Sequence, residues 1–107
     1  MNGPRLVEVA PGLVLELEQL LVQEGEPALG AQLANLHIVD RCRCGDDFCA
    51  TFYTAPRPVG SYGPGHRTIA LVPAVGYLNV DVVGADIVQI EVLDRNDLKA
   101  VIHAAVP

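Results

Sequence analysis

Tryptophan is absent from this 107-residue chain, and its aromatic residues are three tyrosines and two phenylalanines. Its interior must therefore be built from Leu, Val, Ile and Ala, side chains that suit helices laid on a sheet. An excess of basic charge is also lacking: seven Lys and Arg stand against thirteen Asp and Glu, a net charge of −6. Such a chain has no surplus of cations to displace counterions from a phosphate backbone, which excludes nucleic acid as the expected partner. The apolar runs are far shorter than a membrane span, so no membrane partner is expected. The opening MNGPRLVEVAPG has no cationic start followed by a long apolar run, so no secretory signal is read. With three cysteines, an odd number, and no such signal, the expected setting is the cytoplasm with the thiols reduced.

Half of the residues are apolar, enough to bury a core without metal or disulfide, and one domain over residues 1–107 is expected. Charge is unevenly spread. Residues 1–36 carry five acids and Arg5, residues 37–75 carry four arginines and three aspartates, and residues 76–107 carry five acids and two bases. The least acidic part is the one that holds the cysteines, a setting that favours a thiolate or a bound anion.

The pattern along the chain predicts an α+β fold: two N-terminal helices, about five mostly antiparallel strands and one C-terminal helix. Leu13, Leu15 and Leu17 alternate as in a strand, but Leu13, Leu17, Leu20 and Leu21 continue at helical spacing to Gly25, giving a helix over 13–24. Pro27 opens a second helix with apolar Leu29, Leu33 and Leu36. Strands over 37–44 and 49–54 flank the turn-like GDDF as a hairpin. A Pro/Gly-rich loop covers 55–66.

Strands over 67–72, 77–83 and 87–93 form a meander whose registers can be cross-checked, because facing residues must share a side of the sheet. A four-residue loop, 73–76, sets Leu71 against Leu78 and Ile69 against Val80. A three-residue loop, 84–86, sets Leu78 against Val92, Val80 against Ile90 and Val82 against Val88. Asn79, Asp81, Gln89 and Glu91 then share the outer face. A helix over 94–104 closes the chain, with Asp94 or Asn96 as its cap, Leu98, Val101 and Ile102 as its buried stripe, and His103 as a surface residue complementing the helix dipole.

The stretch RCRCGDDFCA holds all three cysteines within eight positions. A four-residue loop, 45–48, sets Cys44 opposite Cys49 and Cys42 opposite Thr51, with the three sulfurs on one face; a three-residue loop would turn Cys49 away. The spacing CxCx4C of Cys42, Cys44 and Cys49, with Gly45 after the second, resembles the zinc knuckle of post-SET segments in lysine methyltransferases. That resemblance covers eight residues and implies three thiolates on zinc with a fourth ligand from elsewhere. It carries no methyltransferase activity, since the remainder of the chain has no match to that core. Three Cys and one His complete a tetrahedral structural site. His66, beside the glycine-rich loop, is the expected fourth ligand, because His37 has the opposite strand parity. Other readings stay open: small buried thiols without function, a Cys44–Cys49 disulfide under oxidation, or a Cys49 nucleophile with His66 as base.

The loop GSYGPGHR offers backbone amides, Tyr62, His66 and Arg67 to a phosphate or carboxylate, or serves simply as a solvated connection. The outer carboxylates of Asp81 and Glu91 are what a one-sided sheet requires, so no catalytic residue is assigned. The closing IVQIEVLD and its helix resemble several families of small bacterial β-meander proteins of unknown function. The functional expectation is a small non-enzymatic binding or interaction domain whose partner is another protein or a second copy of itself, with a possible zinc ion at Cys42, Cys44, Cys49 and His66. The alternative is a small enzyme acting through a Cys thiolate or the GSYGPGHR loop on an anionic substrate.

Overall fold

A computed structural model describes residues 3–107. Among them the chain forms helices α1 (Leu6–Val9), α2 (Pro11–Gln23) and α3 (Pro27–Gln32), a 3₁₀ turn (Leu33–Asn35), strands β1 (Asp40–Arg41), β2 (Phe52–Tyr53), β3 (His66–Ala70), β4 (Tyr77–Val83) and β5 (Asp86–Leu93), and helix α4 (Asn96–Ala105). This is the expected α+β architecture, with the single turn α1 added.

Helix α2 resolves the ambiguity of its leucines. Leu13, Val14, Leu17, Leu20 and Leu21 are buried, while Leu15 is 63% exposed, so the odd-numbered alternation never operates. Gly25, at φ +74°, ends the helix. Its N–H donates to Val22 O at 3.0 Å and that of Glu26 to Leu21 O at 2.8 Å, the paired bonds that a left-handed glycine allows after a helix. Pro27 then occupies the first turn of α3, where its missing N–H costs nothing.

The strands form one antiparallel sheet in the order β1-β2-β5-β4-β3. Its inward row of Phe52, Ile69, Val80 and Ile90 joins Leu6, Leu17, Leu21, Leu33, Leu98 and Ile102 from the helices in one core. Four of the expected pairs are present: Ile69 with Val80, Leu78 with Val92, Val80 with Ile90, and Leu71 with Leu78 through a 3.0 Å bond. The fifth differs. Val82 faces Ile87, because a bulge after Asp81 shifts the register and leaves a two-residue turn of Gly84 and Ala85. Gly84 sits at φ +63°, as such a turn requires, and the extra residue lets both Ile87 and Ile90 reach the core.

The start of α4 also departs from expectation. Neither Asp94 nor Asn96 caps it; Asp94 turns at φ +58° and Arg95 holds the N-cap position without a side-chain cap bond. Leu98 and Ile102 are buried, but Val101 is 40% exposed, because α4 turns only a narrow stripe inward. The regular parts of the cysteine hairpin are shorter than expected, two residues each, because β2 must also follow β5, where Phe52 pairs with Ile90. No helix among the described residues is long and apolar enough to cross a membrane.

Candidate metal centre

The hairpin takes the four-residue-loop register. Asp40 pairs with Tyr53 and Arg41 with Phe52, and the ladder continues where Cys42 N–H donates to Thr51 O at 2.8 Å. Beyond it, Gly45 turns at φ +80° and Cys49 N–H returns to Asp46 O at 3.2 Å. Cys49 also forms a bridge to Leu93, and Ala50 N–H donates to Val92 O at 2.9 Å, which ties the second limb to β5. The three sulfurs consequently lie within 4.8 Å of one another. Cys49 is buried, Cys42 half-buried and Cys44 exposed, and all three are free thiols. Three thiols this close, on a backbone fixed by the ladder, can hold a metal ion.

The thiols do not titrate alike. Burial pushes Cys49 up, but the N–H and hydroxyl of Thr51, with the thiols of Cys44 and Cys42, donate toward its sulfur and hold it below the ordinary thiol value. Cys44 accepts the Asp46 N–H, which favours its thiolate, yet its thiol bonds to Cys42 and Cys49, its lost hydration and the Cys49 charge outweigh that donor. The Cys44 thiol is pushed up to about 11. Of these two thiols Cys49 is the readier to ionise, and a bound cation would require its coordinating thiols to lose their protons.

The C-terminal helix forms the other wall. Lys99 Nζ donates to Asp47 O at 2.9 Å and Asp46 O at 3.2 Å, Arg41 Nε to Val106 O at 2.6 Å, and Arg43 to Pro107 O at 3.2 Å. Between hairpin and helix lies a cavity of about 340 Å³, lined by the three cysteines, Arg43, Lys99 and His103 among others. His103 stands in the last turn of α4, as its place in the sequence suggests, but it is half-buried rather than free on the surface. Its Nε2 is buried without a hydrogen-bond partner. Desolvation, then Arg41, Lys99 and Arg43, holds the imidazole below its ordinary pKa and so neutral. No spacing in the sequence links residue 103 to residues 42–49; only the return of α4 onto the hairpin does.

His66 lies elsewhere. It opens β3 opposite Val83, whereas Cys49 bridges Leu93, which pairs with Tyr77 at the other end of β4. Three inter-strand steps, about 14 Å, and nearly the length of β4, about 20 Å, separate the two corners. His66 Nε2 instead meets Asp81 Oδ1 at 2.8 Å, and its ring lies 4.9 Å from that of Tyr62. The structure thus brings Cys42, Cys44 and Cys49 together and leaves His66 apart from them, both as a fourth ligand and as a base for Cys49. His37 is occupied as well, its Nδ1 2.8 Å from Gly3 O.

The side chains of Tyr62, His66 and Arg67 in GSYGPGHR are committed internally. Tyr62 OH donates to Gln89 Oε1 at 2.9 Å, Arg67 forms a two-pronged pair with Glu26 at 2.9 and 3.1 Å, and His66 meets Asp81, which also accepts Thr68 Oγ1 at 2.6 Å. On the outer face Asn79 Nδ2 donates to Glu91 Oε1 at 2.6 Å, so those polar side chains satisfy one another. Comparison with known protein families, curated proteins and solved structures returns no match for this chain.

Proposed function

We propose that this chain is a small non-enzymatic binding domain whose cysteine hairpin takes up a zinc ion in the reducing cytoplasm. The observation that carries this reading is the approach of the Cys42, Cys44 and Cys49 sulfurs to within 4.8 Å on one fixed hairpin. A thiolate-rich tetrahedral set is the type that selects zinc over harder cations, and the post-SET-like spacing of the three supports it. The nearby Arg41, Arg43 and Lys99 offset the charge that three thiolates would bring. The partner is another protein or a second copy of this chain. Its net charge of −6 speaks against nucleic acid, and β3 is an edge strand with unpaired backbone groups. Native mass spectrometry of the reduced protein, with and without a chelator, tests the metal. The expected result is one zinc increment that the chelator removes. No increment in protein purified without chelator sinks the reading.

One observation favours the second reading, a small enzyme acting on an anionic substrate: the Cys49 thiol lies below its ordinary value. Against it, Cys49 is buried and His66 is bonded to Asp81 instead of to it, while the Tyr62 and Arg67 side chains of the GSYGPGHR loop are already bonded. Thiol alkylation separates the two. A single fast-reacting cysteine at neutral pH supports the enzyme; three slow ones, or three protected until a chelator is added, support the metal domain.

A further inference from the structure

His103 carries the unexplained atom of this region. Its Nε2 is the buried side-chain nitrogen or oxygen without a hydrogen-bond partner among the described residues. Buried polar atoms ordinarily find a partner, and one that does not calls for a ligand or a cost. The imidazole lines the same cavity as the three sulfurs. Lys99 stands one helical turn earlier on the same face of α4 and is bonded to the Asp46 and Asp47 carbonyls. Past His103, Arg41 is bonded to Val106 O at 2.6 Å. The helix is thus fastened to the hairpin on both sides of His103, which sets this residue at the cavity wall.

We propose that His103 Nε2 is the fourth ligand, completing with Cys42, Cys44 and Cys49 a tetrahedral Cys3His site for a zinc-type ion that fastens the last turn of α4 to the hairpin. This rests on the metal-binding reading above and assigns the position that three cysteines leave open. Metal–sulfur bonds of about 2.3 Å require sulfurs about 3.8 Å apart, so a cluster already within 4.8 Å needs only a small contraction. The imidazole lies outside the sulfur group and would have to turn across the shared cavity to reach the ion. Thiol protons leave to solvent as the ion binds. Three thiolates, a divalent cation and a neutral imidazole sum to one negative charge, facing Arg41, Arg43 and Lys99.

The test is titration of the reduced full chain with Co(II), followed by competition with zinc. The unaltered protein is expected to bind one Co(II) with tetrahedral visible bands and thiolate charge transfer. His103→Gln is expected to keep the charge transfer, shift the visible bands and weaken binding by more than about a hundredfold, beyond the 10–100-fold that a merely supporting residue costs. His103→Cys is expected to restore tight binding with an all-sulfur spectrum. A second measurement uses the unaltered protein alone: ¹¹³Cd in ¹⁵N-histidine-labelled chain should couple directly to His103 Nε2. Binding by His103→Gln with unchanged affinity and bands overturns the proposal and leaves the three-cysteine reading standing. No metal uptake by the unaltered chain overturns both. Where His103→Gln does not fold, the cadmium coupling decides, and its absence overturns the proposal.

Discussion

The N–H of Cys42 donates to the carbonyl of Thr51 at 2.8 Å, the last rung before the loop of the ladder whose register puts three sulfurs together. A shift by one residue would turn alternate side chains to the other face. Deleting Arg43 moves Cys44 one place along the first limb and should set it opposite Ala50, turning its thiol away from Cys42 and Cys49. The expected outcome is loss of Co(II) thiolate charge transfer with the meander intact, read by absorption and by amide chemical shifts of β4 and β5. Retention of the full charge-transfer band would show that the ladder does not assemble the cluster.

The coupling of Cys44 to Cys49 makes a prediction about the metal-free thiols. Cys44 is exposed yet pushed up to about 11, whereas Cys49 lies below its ordinary value. At pH 8 the thiolate fraction of Cys44 should be roughly a hundredfold below that of an ordinary exposed cysteine, since each unit of pKa is a factor of ten. Its alkylation should be correspondingly slow and should accelerate as pH approaches 11. Cys49→Ala removes the neighbouring charge and acceptor, so Cys44 should then react at lower pH. Peptide-resolved alkylation rates across pH check both; an unchanged Cys44 profile in Cys49→Ala would dispose of the coupling.

The parts legible in sequence were those set by local spacing. Leu13, Leu17, Leu20 and Leu21 specify a helix, the alternation of Leu78, Val80 and Val82 specifies a strand, and GDDF marks a turn whose two possible registers only the paired limbs decide. What was hidden depended on distant packing. The bulge after Asp81 arises because Ile87 and Ile90 both enter the core, which alternation cannot express. Leu6 is fully buried by the one-turn α1, too short to show a period. The place of His66 beside a glycine-rich loop points to it as a ligand, but the sheet order carries β3 to the edge away from the hairpin. His103 was hidden for the converse reason, since only tertiary return brings it to the cysteines.

The displacement of His66 has a direct consequence. His66→Ala should leave metal uptake unchanged, in stoichiometry and in affinity, because the residue lies across the sheet from the cluster. It should lower stability modestly, by about 1 kcal/mol, because Asp81 loses one of its two donors while retaining Thr68. Zinc competition and urea unfolding of the same variant measure the two effects separately. A large loss of metal affinity would restore His66 to the site.

Two glycines with similar backbone angles should respond differently to substitution. Gly76 lies at φ +69°, and a Cβ there would stand 2.6 Å from Leu93 O and 2.9 Å from the Arg95 side chain. Gly84 lies at φ +63° with open space around it. Gly76→Ala should therefore cost more than about 1 kcal/mol, from strain and backbone collision together, while Gly84→Asn should cost less, since Asn tolerates that region. Urea midpoints at constant slope give the comparison. Because Leu93 also bridges Cys49, the Gly76 variant should additionally loosen the second limb of the hairpin.

Lys99 offers the sharpest separation between a helix that rests on the hairpin and one that holds it. Its ammonium bonds to the carbonyls of Asp46 and Asp47, groups in a loop with few other tertiary ties. Lys99→Met keeps most of the aliphatic stem and removes those bonds together with one of the three positive charges beside the cluster. The expected loss of global stability is small, about 0.5–1 kcal/mol, because both acceptors can turn to water. The local effect should be larger: amides of residues 46–49 should exchange faster by several-fold, while those of β4 and β5 stay unchanged. Metal affinity should fall as well, since the loop that carries Cys44 and Cys49 then samples more conformations before an ion can order it. Hydrogen exchange in the metal-free chain reads the first effect and zinc competition the second. Unchanged exchange across residues 46–49 would mean that the ladder alone orders the loop and that α4 contributes no clamp.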